Sequence, residues 1–181
     1  NNTSANNATF GSLNIETGGT YDATSGTTTI NNQDGSTYKL LNNGTFIHNS
    51  GTLVLDASTN GGIYDNTDWL YNLTVKNDTT DAAAVQNYTM VNVGNDLIVS
   101  GAGSEAASWD VAFYNAGDGA DSFNVSGTAT VISGAKLSRS NITTADYGAL
   151  IIGAKGWFDA GATTTFYYTK DGFSLNNEGT F

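Results

Sequence analysis

The chain has 181 residues, 39% hydrophobic and 11% aromatic, which is enough for one sizeable core and too much for a disordered chain. Only 13% are charged, and 17 Asp plus Glu against 6 Lys plus Arg leave a net charge of −11. That balance argues against a cationic surface for nucleic acid or an anionic membrane; the lack of Cys removes disulfide and thiolate-metal frameworks; and no apolar run approaches the ~18 residues of a membrane span.

Taken in chain order, the opening "NNTSANNATF" has neither the cationic nor the apolar part of a signal segment and reads as a processed N-terminus or a cut within a longer protein. Short runs with a period of two then follow one another. Leu13 and Ile15 share one face of the first, Thr28 and Ile30 of the second, Tyr38 and Leu40 of the third, and Leu53 and Leu55 of the fourth. The pattern continues with Leu73 and Val75, Val91 and Val93, Leu97 and Val99, Val111 and Phe113, and Phe123 and Val125. It closes with Ala129 and Val131, Leu150 and Ile152, and Phe166 and Tyr168. Turn phrases such as "GG", "NNG", "NSG", "AGDG" and "KDG" interrupt the runs. With 22 Gly and no Pro, the turns are expected to use left-handed backbone conformations that Gly and Asn tolerate. "DTTDAAAVQNY" is the only helix candidate, a single turn or a looped-out excursion near Ala82 to Val85.

An all-β chain of short strands fits either a sandwich or a β-solenoid, and internal repetition separates the two. Tyr21 to Phe46 and Phe158 to Phe181 share "[YF]DA", "TTT", "DG", "LNN" and "GTF" in the same order. Residues 1–181 therefore read as a single β-solenoid domain in which 158–181 resembles 21–46 as the start of a recurring block. A β-sandwich filament subunit joined by strand donation is the alternative.

"GSLNIETGGTYDAT", "NNGTFIHNSGTLVLD", "DWLYNLTVKN" and "VGNDLIVSG" resemble the large repetitive surface and fibre proteins of bacteria, archaea and their viruses. That resemblance implies a right-handed parallel β-helix of the adhesin type, placed outside the cell, and it brings no catalytic residue. The stretches Ala82 to Tyr88 and "SEAASW" depart from the pattern and are expected to be insertions.

The chemistry-bearing residues are sparse. His48 is the single histidine, so a triad or a histidine metal site would depend on it alone; a turn residue is the expected role. Asp118 with Asp121 and Asp65 with Asp68 are close carboxylate pairs, yet neither has a Lys or Arg nearby, and Arg139 is the sole arginine. Paired carboxylates without a cation suit a structural calcium ion at Asp118 and Asp121 better than sugar hydrolysis. Trp69, Trp109 and Trp157 lie in separate segments, so aromatic residues are expected to stack between coils rather than form a sugar platform. Asn2, Asn7, Asn43, Asn72, Asn77, Asn87, Asn124 and Asn141 each head an Asn-x-Ser/Thr sequon, which suits a secreted glycoprotein.

These residues lead to a non-enzymatic extracellular structural or adhesive fibre subunit on a cell or virion surface, with no cofactor other than possible calcium. Its expected partners are copies of itself or further repeats of the same polypeptide. A viral fibre binding host glycans and a carbohydrate-active β-helix enzyme are the alternatives. Clustered carboxylates in a groove would favour the enzyme, and an exposed Trp/Tyr row would favour glycan binding.

Overall fold

A computed structural model describes residues 5–31, 37–65, 69–79, 82–89, 91–103, 110–115, 122–139, 144–160, 163–167 and 174–181. Among them every regular element is a strand, and every strand pair is parallel. The chain winds as a three-faced β-solenoid of about six turns. Antiparallel Greek-key pairing, which a sandwich would need, is not what these strands make.

The first coil holds β1 (Ala8–Phe10), β2 (Leu13–Ile15) and β3 (Thr20–Asp22), one strand on each face. The next holds β4 (Thr27–Ile30), β5 (Tyr38–Asn42) and β6 (Thr45–Ile47), and the third β7 (Thr52–Asp56), β8 (Gly61–Asp65) and β9 (Trp69–Leu70). Then come β10 (Asn72–Lys76), β11 (Ala83–Asn87) and β12 (Val91–Val93), followed by β13 (Leu97–Ser100) and β14 (Val111–Asn115). β15 (Ser122–Ile132) and β17 (Thr144–Ile152) are long because each runs round a corner, from the third face of one coil into the first face of the next. β16 (Ala135–Ser138) and β18 (Trp157–Asp159) continue the second face, β19 (Thr163–Phe166) the third, and β20 (Leu175–Asn177) the first.

Period-two alternation becomes columns once coils stack in register. On the first face Ala8, Thr28, Leu53, Leu73, Leu97, Ala129, Leu150 and Leu175 lie one above another, a coil length of 20 residues at the shortest (28 − 8) and 32 at the longest (129 − 97). Leu73, Leu97, Ala129 and Leu150 are fully buried. The core therefore runs the length of the stack and is shared by all three faces, because a single coil cannot bury its own apolar side. Aromatic rings thread the later coils: Phe113 meets Phe123 at 5.7 Å between centroids, Tyr147 meets Phe158 at 5.8 Å, and Phe158 meets Phe181 at 5.4 Å.

Three sequence expectations are corrected. Ala83–Asn87 is neither a helical turn nor an insertion: it is β11, central in the second face between β8 and β14. Ala83, Val85 and Asn87 point inward and are buried, so Ala83 fills an inner position while Ala84 lies on the outer side. The stretch "SEAASW" lies outside the described residues. Tyr38 and Leu40 do not share a face, because a β-bulge falls between them: Tyr38 pairs with Gly62 and Leu40 with Ile63. The extra residue, Lys39, flips the register, so Leu40 packs inward and Tyr38 faces out. Finally, the "GG" at Gly61–Gly62 is inside β8 and is not a turn.

The repeated phrases prove to be a corner device. Tyr21 sits on the third face and Phe158 on the second, so the two blocks lie one face out of step. The local bonding is nevertheless the same. Near the beginning, Asn43 N donates to Ile15 O at 2.8 Å, Thr45 N to Gly19 O at 3.0 Å, and Gly44 N to Asn42 Oδ1 at 3.1 Å. Near the end, Glu178 N donates to Ile152 O at 2.6 Å, Thr180 N to Gly156 O at 2.9 Å, and Gly179 N to Asn177 Oδ1 at 3.0 Å. "LNN…GT" is thus a way of turning any corner onto the coil beneath. Its glycine is required by crowding: a Cβ on Gly44 would lie 2.6 Å from Glu16 O, and one on Gly179 2.7 Å from Gly153 O.

Candidate functional site

Asp118 and Asp121, the expected calcium ligands, lie outside the described residues, as do Asp68 and Trp109. Asp65 is buried in a corner, where Asn42 Nδ2 donates to its Oδ1 at 3.0 Å and its own N–H donates to Thr89 Oγ1 at 3.0 Å. It belongs to a polar ladder between coils rather than to a groove. Among the described residues no three His, Asp or Glu side chains converge as a metal site. His48 closes a turn: its Nδ1 accepts from Ser50 N at 2.9 Å, and its ring stacks on Tyr71 at 5.5 Å.

The sequons separate by burial. Asn77 and Asn87 are fully buried, with Asn77 Nδ2 donating to Asp110 O and Asn87 Nδ2 to Thr89 O. Asn7 and Asn43 are exposed. Asn72 and Asn124 belong to amide ladders, with Asn95 Nδ2 donating to Asn72 Oδ1 at 2.8 Å and Asn124 Nδ2 to Asn92 Oδ1 at 2.7 Å.

Arg139 gave no sequence signal beyond being the only arginine. It is fully buried, with its guanidinium 3.9 Å from the Phe123 ring centroid and 4.8 Å from that of Phe113. Nη1 donates to Asn87 Oδ1 at 2.9 Å and Nη2 to Phe113 O at 3.3 Å. The guanidinium lies beside the Tyr147 hydroxyl and interacts with it electrostatically, although among the described residues Arg139 Nε and Tyr147 Oη have no partner in good hydrogen-bonding geometry. Burial lowers Arg139 to about 10 and pushes Tyr147 up to about 12. Arg139 therefore stays charged at neutral pH, held by ring faces and two acceptors, and this cluster is part of the core rather than a reactive site.

The outward surface is richer in aromatic groups than the sequence suggested. Trp69 is 47% exposed on the third face. On the second face Tyr38, Tyr64, Tyr88 and Tyr114 are half-buried and close together. Tyr38 lies 5.4 Å from Tyr88 and 6.0 Å from Tyr64, both edge-on. Tyr88 Oη donates to Gln86 Oε1, and Gln86 Nε2 donates to Tyr114 Oη. Gln86, Tyr88 and Tyr114, together with Thr37, Asn60, Gly61 and Ala84, border an open notch. The bulge at Lys39 hid this cluster from a period-two reading, which had put Tyr38 on one face with Leu40.

No family model, no curated protein and no solved structure matches this chain.

Proposed function

We propose that the chain is a structural or adhesive segment of an extracellular fibre on a cell or virion surface, working as a stack of coils rather than as a catalyst. The observation that supports this most is the unbroken first-face ladder from β1 to β20, eight strands in parallel register over one continuous core. Seven steps of ~4.8 Å make this a column roughly 34 Å tall. Backbone hydrogen bonds run along that axis on three faces, so tension is shared by many bonds loaded together. Few charges, no Cys and exposed sequons at Asn7 and Asn43 agree with an extracellular place.

The last described coil carries core-type side chains that nothing described covers: Leu175 is 42% exposed and Phe181 58%. An uncovered strand edge of this kind pairs readily with another strand. As part of this reading we propose end-to-end stacking, in which a further coil, from the same polypeptide or from a second copy, seats on β20. Repetition of such a heterologous contact gives a filament. Sedimentation velocity and negative-stain electron microscopy test it. Concentration-dependent columns are expected, and Leu175→Asp with Phe181→Asp should abolish them while the strand circular dichroism spectrum persists. A strictly monomeric chain at high concentration would overturn the stacking.

A further inference from the structure

We propose that the notch bordered by Thr37, Gln86, Tyr88 and Tyr114 on the second face, with Tyr38 packed edge-on against Tyr88, binds a neutral sugar chain. This goes beyond the fibre reading and does not depend on it.

The notch is built by two local events. The bulge at Lys39 turns Tyr38 outward, and the next coil places Gly62, which has no side chain, beside it. The Tyr88 ring fills that bare position: a Cβ added at Gly62 would sit 2.5 Å from the Tyr88 ring edge and 3.2 Å from Tyr38 Cδ1. Edge-on contacts with Tyr38 and the bond to Gln86 hold the Tyr88 ring. Rigid aromatic groups of this kind offer contact area at little entropic cost on binding. The floor is small, Gly61 and Ala84, and one wall is Asn60, whose Oδ1 accepts from Ala84 N at 2.8 Å.

This chemistry suits a pyranose. Its C–H face packs on an aromatic ring, and its hydroxyls act as both donors and acceptors. Tyr88 Oη spends its proton on Gln86 and keeps lone pairs, while Tyr114 Oη accepts from Gln86 and keeps its proton. The notch therefore offers one acceptor and one donor at fixed places. It crosses successive coils, which advance by ~4.8 Å, close to the length of one sugar unit.

Charge selects among sugars. Among the described residues no Lys, Arg, Asp or Glu borders the notch, and the chain carries −11 overall. Uronates, sulfated and sialylated chains would meet a repulsive field with no cation to hold them. A neutral hexose or pentose polymer meets no such penalty.

Affinity electrophoresis provides the test, in native gels cast with a neutral glucan, mannan, galactan or xylan, and with polygalacturonate or heparin as acidic probes. Retardation is expected in at least one neutral gel and in neither acidic gel. Gln86→Ala should weaken it at least tenfold and Tyr114→Phe, which removes one oxygen atom, several-fold, with melting temperature and circular dichroism unchanged for Tyr114→Phe. Migration unaffected by every neutral polymer, retention by acidic polymers alone, or retention indifferent to both substitutions would each overturn the proposal. Sedimentation of the same variants reports stacking separately, so a failure of sugar binding is distinguishable from a failure of the fibre reading.

Discussion

Replacing Gly44 by Ala tests whether corner glycines are there for crowding or for backbone conformation. Gly44 is absent from the positive-φ residues, so alanine is not strained by its backbone angle. The added Cβ would lie 2.6 Å from Glu16 O and closer still to Gly19 O, both backbone atoms of the coil beneath. Ordinary contact begins near 3.4 Å, so the corner must open by more than 0.8 Å, which is the shortfall at Glu16 O alone (3.4 − 2.6). That movement stretches the bonds from Asn43 N to Ile15 O and from Thr45 N to Gly19 O, now 2.8 and 3.0 Å. Two weakened hydrogen bonds cost about 1–3 kcal/mol and overpacking about 1–3 kcal/mol, against about 0.4–1 kcal/mol recovered from the stiffer unfolded chain. The net expectation is a local loss of roughly 1–5 kcal/mol. Native-state hydrogen exchange at the Asn43 and Thr45 amides should accelerate by roughly 5- to 4,000-fold, with about 100-fold at the centre of that range, since 1.4 kcal/mol is a factor of ten. Gly18→Ala is the contrasting case: φ is +80° and no atom lies within 4 Å of its Cβ, so the cost should be only about 1–2 kcal/mol, from backbone strain alone. Unchanged exchange in Gly44→Ala, or a larger effect from Gly18→Ala, would refute the crowding argument.

Leu73→Ala, in a fully buried column between Leu53 and Leu97, should cost about 2–5 kcal/mol in urea unfolding, whereas Thr74→Ala on the outer side should stay within about 0.5 kcal/mol. Arg139→Lys keeps a charge but loses the two-pronged grip on Asn87 and Phe113 O and the ring stacking, so a loss of roughly 2–4 kcal/mol is expected; a neutral outcome would mean that the guanidinium shape is unimportant. The Tyr147 hydroxyl is raised from 10.0 to about 12 by burial, so the unfolded chain releases this proton near pH 10 while the folded chain keeps it. Its contribution is thus full below pH 10 and is lost as the pH climbs to about 12, a change of roughly 2–3 kcal/mol; the wild-type protein should lose that much relative to Tyr147→Phe over this window, and parallel stability curves would contradict the burial.

The all-β class was legible because alternation is a local property. Leu53 and Leu55, Leu73 and Val75, and Leu97 and Val99 announce their inner face from the chain alone. The stacked architecture was legible for a similar reason, since repeated turn phrases imply repeated corners. Which columns those residues join was not legible: register depends on coil length, and that varies from 20 to 32 residues with the loops. The same limit governs the surface. Whether Tyr38 points in or out depends on one extra residue at Lys39, and whether Tyr88 has a place to lie depends on Gly62 one coil away. Arg139 stood out in the sequence only as the sole arginine, and the fold buries it against Phe113, Phe123 and Asn87, residues 16 to 52 positions distant (139 − 123 and 139 − 87). Sequence determined the period and the corners, because these arise from neighbouring residues; tertiary stacking decided the polar interior and the outer notch, because their parts meet only when coils from different stretches of chain lie in register.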